Sequence, residues 1–325
     1  MFYLLCIALC LAVMVLVTAG TLFLSIPLAR VIHPVLRRLP ASAAANLVLL
    51  FRLFPFLLGI VVSAGLALPA FLEFEPRTTH EMLDWPLLLL AASGVLVCCV
   101  LLVRAGCLML STRRWLRERK SAQQLPSSFP HAEIYRTTDP SSLLAVTGIF
   151  RPTILVSADI TDALTPRELD AAIRHELAHV RSWDNLKQFV LKVTHLPSWI
   201  RPLHDLDHAW IQSSEVAADE TALATGAPPL DLSAALIKVA RLAAGESNFG
   251  SVAASHLVPC ECKSATATRA ARLRQILESG KLPHGKKDSH PLRAAGFLLA
   301  ACALYLVCLG TMLPAMHEIL EILVR

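Results

Sequence analysis

The sequence predicts an integral membrane α-helical protein with four transmembrane helices. A soluble α+β domain is inserted between the third and fourth. Three observations predict this. The chain of 325 residues is 55% apolar with a mean hydropathy of +0.56, more than a soluble domain needs. Its apolar residues gather into four long runs. Between the third and fourth runs lies one long polar stretch with no such run.

A bilayer core of ~30 Å requires about 20 apolar residues in a helix. The runs that qualify extend from about Phe2 to Leu28, from Leu53 to Leu72, from Pro86 to Leu110 and from Ala294 to Leu313. The first reads as a retained helix rather than a cleaved signal: no Lys or Arg precedes it, and it exceeds a signal core in length. Arg52 and Arg104 sit at the ends of apolar runs and read as snorkelling to the headgroups.

Charge sets the orientation. Arg30, Arg37 and Arg38 follow the first run, and Arg113, Arg114, Arg117, Arg119 and Lys120 follow the third. The loop between the second and third runs, EFEPRTTHEMLDW, holds one arginine and four acids. The positive-inside rule places the N-terminus outside and the inserted domain in the cytoplasm. The expected layout is a three-helix membrane region at 1–110, a cytoplasmic domain at 111–293, a fourth helix at 294–313 and a short outside tail at 314–325. The formal net charge of +5 is too mild for a direct nucleic-acid surface. The partner composition implies is a lipid bilayer. Seven of the nine cysteines lie in apolar runs and need no special role. Cys260 and Cys262 form a lone C-x-C, short of a metal framework.

The segment of roughly 180 residues between the third and fourth runs is long enough for its own core. QQLPSSFP (123–130) and GKLPHGKKDSH (280–290) read as linkers. AVTGIFRPTILVS (145–157) reads as a strand pair, whose exposed edge could take an extended peptide as an added strand. Thr165-Pro166-Arg167-Glu168 announces a helix: N-cap, proline at the first position and a capping-box glutamate. Further helices are expected over 184–195, with Asp184 and Asn185 as its cap, and over 205–225, closed by Gly226.

The capped helix contains His175-Glu176-Leu177-Ala178-His179. The two histidines stand one turn and about 6 Å apart on one face, within reach of a single zinc ion. Glu176 lies beside His175, placed to take a proton from water on that ion. A hydrolytic zinc site wants a third protein ligand. Glu215 and Asp219 in SEVAADE share a helix face and supply a candidate ligand and a carboxylate to orient a ligand histidine; spacing alone reads equally well as an acidic helix face. For oxyanion stabilisation the spacing leaves Tyr135, His204, His208 and His256 open. Arg269, Arg272 and Arg274 read as a solvated or headgroup-facing basic face.

TGIFRPTILVS, TPRELDAAIRHELAHVRSWDNL and SEVAADETAL, in that order, resemble the BlaR/MecR-type membrane metallopeptidases of bacterial β-lactam sensing. The resemblance implies a gluzincin binding one Zn2+ ion through His175, His179 and Glu215, with Glu176 as general base and Asp219 behind a ligand histidine. It implies a multi-pass protein of the bacterial plasma membrane, with protein substrates: a cytoplasmic protein such as a winged-helix repressor, or the chain itself. Only PAMHEILEILVR follows the fourth run, so the C-terminal sensor domain of those relatives is expected to be lacking. Two alternatives share part of the pattern. One is an HtpX/CAAX-prenyl-type quality-control or processing metalloprotease, whose helices are distributed differently around the motif. The other is a catalytically silent signalling scaffold, against which the intact Glu176 speaks. The sequence assigns no oligomeric state.

Overall fold

The computed structural model describes residues 2–76, 84–119, 123–125, 133–137, 144–149, 152–196, 200–243, 254–256, 263–279 and 312–323. Three helical rods in it are long and apolar enough to cross a membrane. The first is α1 (Phe2–Leu36). The second begins as α2 (Ala41–Val62), widens into a π turn at Ser63–Ala67 and continues as α3 (Leu68–Phe74). Pro69 lacks the N–H that would continue a regular ladder there, which accounts for the widened turn. The third is α4 (Trp85–Arg119). Leu88, Leu89, Leu96, Leu102 and Val103 on α4 are exposed, an apolar surface that hydrocarbon solvates and water does not. The expected fourth span lies outside the described residues except for its last two positions.

Small residues bring these helices close. A Cβ on Gly59 would lie 2.1 Å from Thr18 Oγ1 and 3.0 Å from the Met14 carbonyl oxygen. Ser63 Oγ donates to the Cys10 carbonyl at 2.7 Å, tying the second rod to the first. The rods also outrun their apolar segments: α1 continues past Arg30, and α2 starts at Ala41, well before the apolar run.

Arg52 corrects the snorkelling expectation. It is 2% exposed, its Nε donates to Asp207 Oδ1 at 2.9 Å, and an Nη reaches the Thr194 carbonyl. Asp207 belongs to the polar domain, so this ion pair fastens α2 to it. Around the pair, Ala29, Leu36, Ala44 and Val48 pack against Leu191, Leu203, Leu206 and Trp210. Arg104 is exposed, and its Nη1 donates to the His195 carbonyl at 2.7 Å.

The polar domain holds a five-stranded sheet. Its strands are β1 (Gln123–Leu125), β2 (Glu133–Thr137), β3 (Leu144–Thr147), β4 (Thr153–Ser157) and β5 (Ala254–His256), in the order β1-β2-β4-β3-β5. β2 and β4 run parallel, and the other pairs run antiparallel. The strand pair expected around 145–157 is therefore β3 and β4, but the β3 edge is not open: β5 pairs along it. The first residues of the expected 123–130 linker form β1; the linker expected at 280–290 and the Cys260/Cys262 pair lie outside the described residues.

The helices are α5 (Ala158–Ala163), α6 (Pro166–Arg181), α7 (Asp184–Val193), α8 (Arg201–Ala224), α9 (Pro229–Ala243) and α10 (Lys263–Ser279). The expected capping box at the start of α6 is present: Thr165 accepts from the Glu168 N–H, and Glu168 accepts from the Thr165 N–H at 2.7 Å. Lys238 adds an ion pair to Glu168. α6 buries Ala172, Ile173 and Leu177 against Val146, Ile154 and Val156 of the sheet and Leu236 and Val239 of α9. Gly226, at φ 96°, closes α8 as expected, because only glycine adopts that conformation without strain.

A further helix covers residues 312–323. Its Leu313, Met316 and Leu320 pack with Leu5, Leu9, Ala70, Phe71 and Leu87. That is the beginning of α1, whereas its final turns carry the polar domain.

The Arg52–Asp207 pair generates a stability prediction. Arg52→Leu strands a mostly buried carboxylate, and the expected loss is ~3 kcal/mol. The double variant Arg52→Leu/Asp207→Leu should recover most of it. Thermal unfolding of both variants in detergent checks this.

Candidate active site

The site is assembled by packing α6 against α8. α6 presents His175 and His179 one turn apart, both fully buried at 0% and 2% exposure. Their Nε2 atoms lie 3.2 Å apart, with the rings nearly perpendicular at 82°. Two nitrogens ligating one tetrahedral zinc at ~2.0–2.1 Å stand about 3.3 Å apart, so the separation fits a shared ion. α8 brings Glu215 to the same point: its two carboxylate oxygens are 3.5 Å from His175 Nε2 and 3.5 Å from His179 Nε2. His175, His179 and Glu215 could together hold a metal ion.

The outer ring nitrogens are held as a metal site requires. His179 Nδ1 lies 2.7 Å from Asp184 Oδ2. His175 Nδ1 faces Asp219 Oδ1 at 3.0 Å, although away from the hydrogen-bond axis. With a carboxylate on each Nδ1, the tautomer that leaves the Nε2 lone pair inward is favoured. Asp219 therefore stands behind His175. Asp184 does more than begin α7, the cap role expected of it. Trp183 takes a left-handed conformation (φ 57°) at the α6–α7 turn, and the reversal brings Asp184 back beneath His179. Asn185 then donates to the carbonyls of Val146 at 3.2 Å and Gly148 at 3.0 Å, which fixes β3 beside the site.

Glu176 is fully buried. Its Oε2 accepts from the Val146 backbone N–H at 3.1 Å, while Oε1 is buried with no hydrogen-bond partner among the described residues. Burial pushes its carboxyl up to about 7, against the partial opposition of His179 and His175. A carboxylate poised near neutrality suits repeated proton transfer.

Arg269 was not legible as part of the site. Instead of lying on a solvated face it is buried, reaching in from α10. Its Nε and Nη2 donate to the two Asp219 oxygens at 2.8 and 2.7 Å, and Nη1 lies 2.8 Å from Glu215 Oε2. Arg272 and Arg274 pair with Glu220 and Glu278. Burial raises the Glu215 and Asp219 carboxyls, but Arg269 and the histidines outweigh it and hold both low, Asp219 well below the carboxylate range. Burial lowers the His175 imidazole, yet Asp219 and Glu215 outweigh that and lift it to about 9. Glu215 and Asp219 share the one buried guanidinium and Asp184 is met by Lys187 at 3.5 Å, and the carboxylates gathered around the two imidazoles favour a cation between them.

The other candidates fall elsewhere. Tyr135 Oη donates to Glu133 on its own strand. His204 and His208 lie about two to three turns down α8 from Glu215. His256 lies on β5, opposite Ala145.

A family model described as BlaR1 peptidase M56 matches residues 73–256, more than half of the chain. The chain belongs to the BlaR1 peptidase M56 family. No curated protein gives a significant match. The matched span contains α6, α7 and α8, and so every residue of the triangle formed by His175, His179 and Glu215. Membership in a peptidase family, the apolar rods and the donor triangle agree on a membrane-associated metallopeptidase. Arg269, the partner of Glu215 and Asp219 on α10, lies outside the match.

Two predictions follow from the geometry. Asp184→Ala should weaken metal binding 10- to 100-fold by freeing the His179 ring, as read by chelator competition. An entering ion must also displace the His175 proton. Its pKa near 9 therefore makes apparent affinity rise about tenfold per pH unit from 7 toward 9 and level off above, in the same assay repeated across pH.

Proposed function

We propose that this M56 family member is a zinc endopeptidase of the gluzincin class, with His175, His179 and Glu215 as ligands and Glu176 as general base. The observation that carries the reading is the donor triangle of 3.2, 3.5 and 3.5 Å with a carboxylate behind each histidine. Bound there, the ion supplies Lewis acidity toward water and a scissile carbonyl. The chain's own groups do the rest. The Val146 N–H pins Glu176 Oε2 and leaves Oε1 to take a proton from water. The carboxyl, near neutrality, can then release that proton to the leaving amine. Asp219 and Asp184 keep the imidazoles oriented throughout, and Arg269 restrains Glu215 and Asp219.

The proposed setting is the bacterial plasma membrane, with the N-terminus outside and the peptidase in the cytoplasm. The basic loops support that orientation. A fourth crossing over 294–313 is supported by two placements. α10 packs on the polar domain, while the helix at 312–323 packs on the far end of α1.

The proposed substrate is a cytoplasmic protein in a signalling pathway, a winged-helix repressor or the chain itself. One observation favours self-cleavage. The β3 edge beside Glu176, where an extended peptide would add, pairs antiparallel with the chain's own 254–256.

Glu176→Gln should retain the metal and lose at least ~10²-fold in cleavage. Metal analysis of the purified variant, with proteomics of new N-termini in cells, tests both halves. Undiminished cleavage by the variant would sink the assignment.

A further inference from the structure

A second concave site lies apart from the metal triangle, where α4, α7 and α8 meet. It is a cavity of about 960 Å³. Arg104, Lys192, His195, His204 and His208 all line it. The one carboxylate on the described lining, Asp207, is engaged by Arg52. The described lining thus carries an arginine, a lysine and three imidazoles against one carboxylate. Burial presses the Lys192 ammonium below its ordinary value. His204 Nδ1 is buried without a hydrogen-bond partner among the described residues.

Apart from Ser111 and Gln188, the rest of the lining is apolar, including Leu108, Leu191 and Trp210. The position matters as much as the charge. Arg104 is the first charged residue of α4, 19 positions after Trp85, and Arg113 and Arg114 follow. The cavity therefore sits at the edge of the hydrocarbon layer on the side of the peptidase domain. A basic mouth over an apolar wall at that depth matches a phosphate headgroup with its acyl chains.

The rival reading is a metal. His204 and His208 Nε2 lie 3.2 Å apart, the same separation as in the catalytic pair. The surroundings oppose it. The catalytic pair faces four carboxylates, whereas this pair shares its cavity with Arg104 and Lys192. A contact of 3.2 Å between neutral imidazoles is also an ordinary N–H···N hydrogen bond.

We propose that this cavity is a binding site for an anionic phospholipid of the leaflet on the peptidase side, with Arg104 and Lys192 holding its phosphate. The site rests on the reading of α4 as a membrane span and on nothing about catalysis. It sits on the same helix as Glu215, so a bound lipid would brace the segment of α8 that leads to the metal triangle.

The test is native mass spectrometry of the full chain in detergent, titrated with dioleoyl phosphatidylglycerol or dioleoyl phosphatidylcholine. One phosphatidylglycerol should be retained in preference to phosphatidylcholine. Arg104→Ala/Lys192→Ala should weaken that adduct tenfold or more, and the exposed pair Arg113→Ala/Arg114→Ala should leave it unchanged. An unaltered melting temperature and metal content would show that the first variant is folded. Equal retention of the two lipids, or equal loss in both variants, would overturn the proposal. Displacement by millimolar inorganic phosphate would reassign the cavity to a free anion. A second equivalent of zinc, lost in His204→Ala/His208→Ala, would reassign it to a metal.

Discussion

Buried charge between α6, α8 and α10 is the constraint on which the peptidase domain is organised. Glu176, Glu215, Asp219 and Asp184 are all withdrawn from water, with two histidines among them. Such a group of acids is tolerable in a dry interior only where cations and hydrogen-bond donors meet them. Arg269 supplies one cation, in a fork that spans both acids of α8. The Val146 N–H supplies a donor to Glu176. The rest of the negative field falls on the space between the two Nε2 atoms, where a metal ion could be held. Stability and metal affinity thus come from the same arrangement, and α10 is required by it although it offers no ligand.

α8 carries this arrangement to the membrane. Asp207 and Glu215 are two turns apart on one helix, about 12 Å along its axis. The first is paired to Arg52 of a membrane helix, and the second faces His175 and His179. A displacement of the second rod therefore bears on the same helix that carries Glu215. The π turn and the proline above Arg52 are places where that rod departs from a regular helix. This gives the fold a direct physical route between bilayer and site, without a flexible connection.

Much of this was legible along the chain, for identifiable reasons. The apolar rods announce themselves by length and composition. The capping box before Pro166 and the glycine after α8 act within a few residues, so local chemistry decides them. The H-E-x-x-H spacing is a property of a single helix, and so is the Glu215/Asp219 spacing. Each survives into the structure because no distant contact is needed to create it. Arg52, Asp184, Arg269 and β5 were different. Arg52 looked like a snorkelling arginine because its partner lies 155 positions away. Asp184 looked like a cap because its role depends on a left-handed residue at Trp183. Arg269 looked solvated because the acids it meets are on another helix.

What the sequence determined by itself was the set of local structures: membrane rods, capped helices, a strand pair, and two half-sites of correct spacing on separate helices. Tertiary structure alone decided that α6 and α8 face each other, that α10 closes over them with Arg269, and that 254–256 covers the β3 edge. The physical reason is range. Hydrogen bonds within a helix and hydrophobic periodicity act over a few residues. The pairing of buried charge acts through space, between residues whose separation along the chain carries no trace of it.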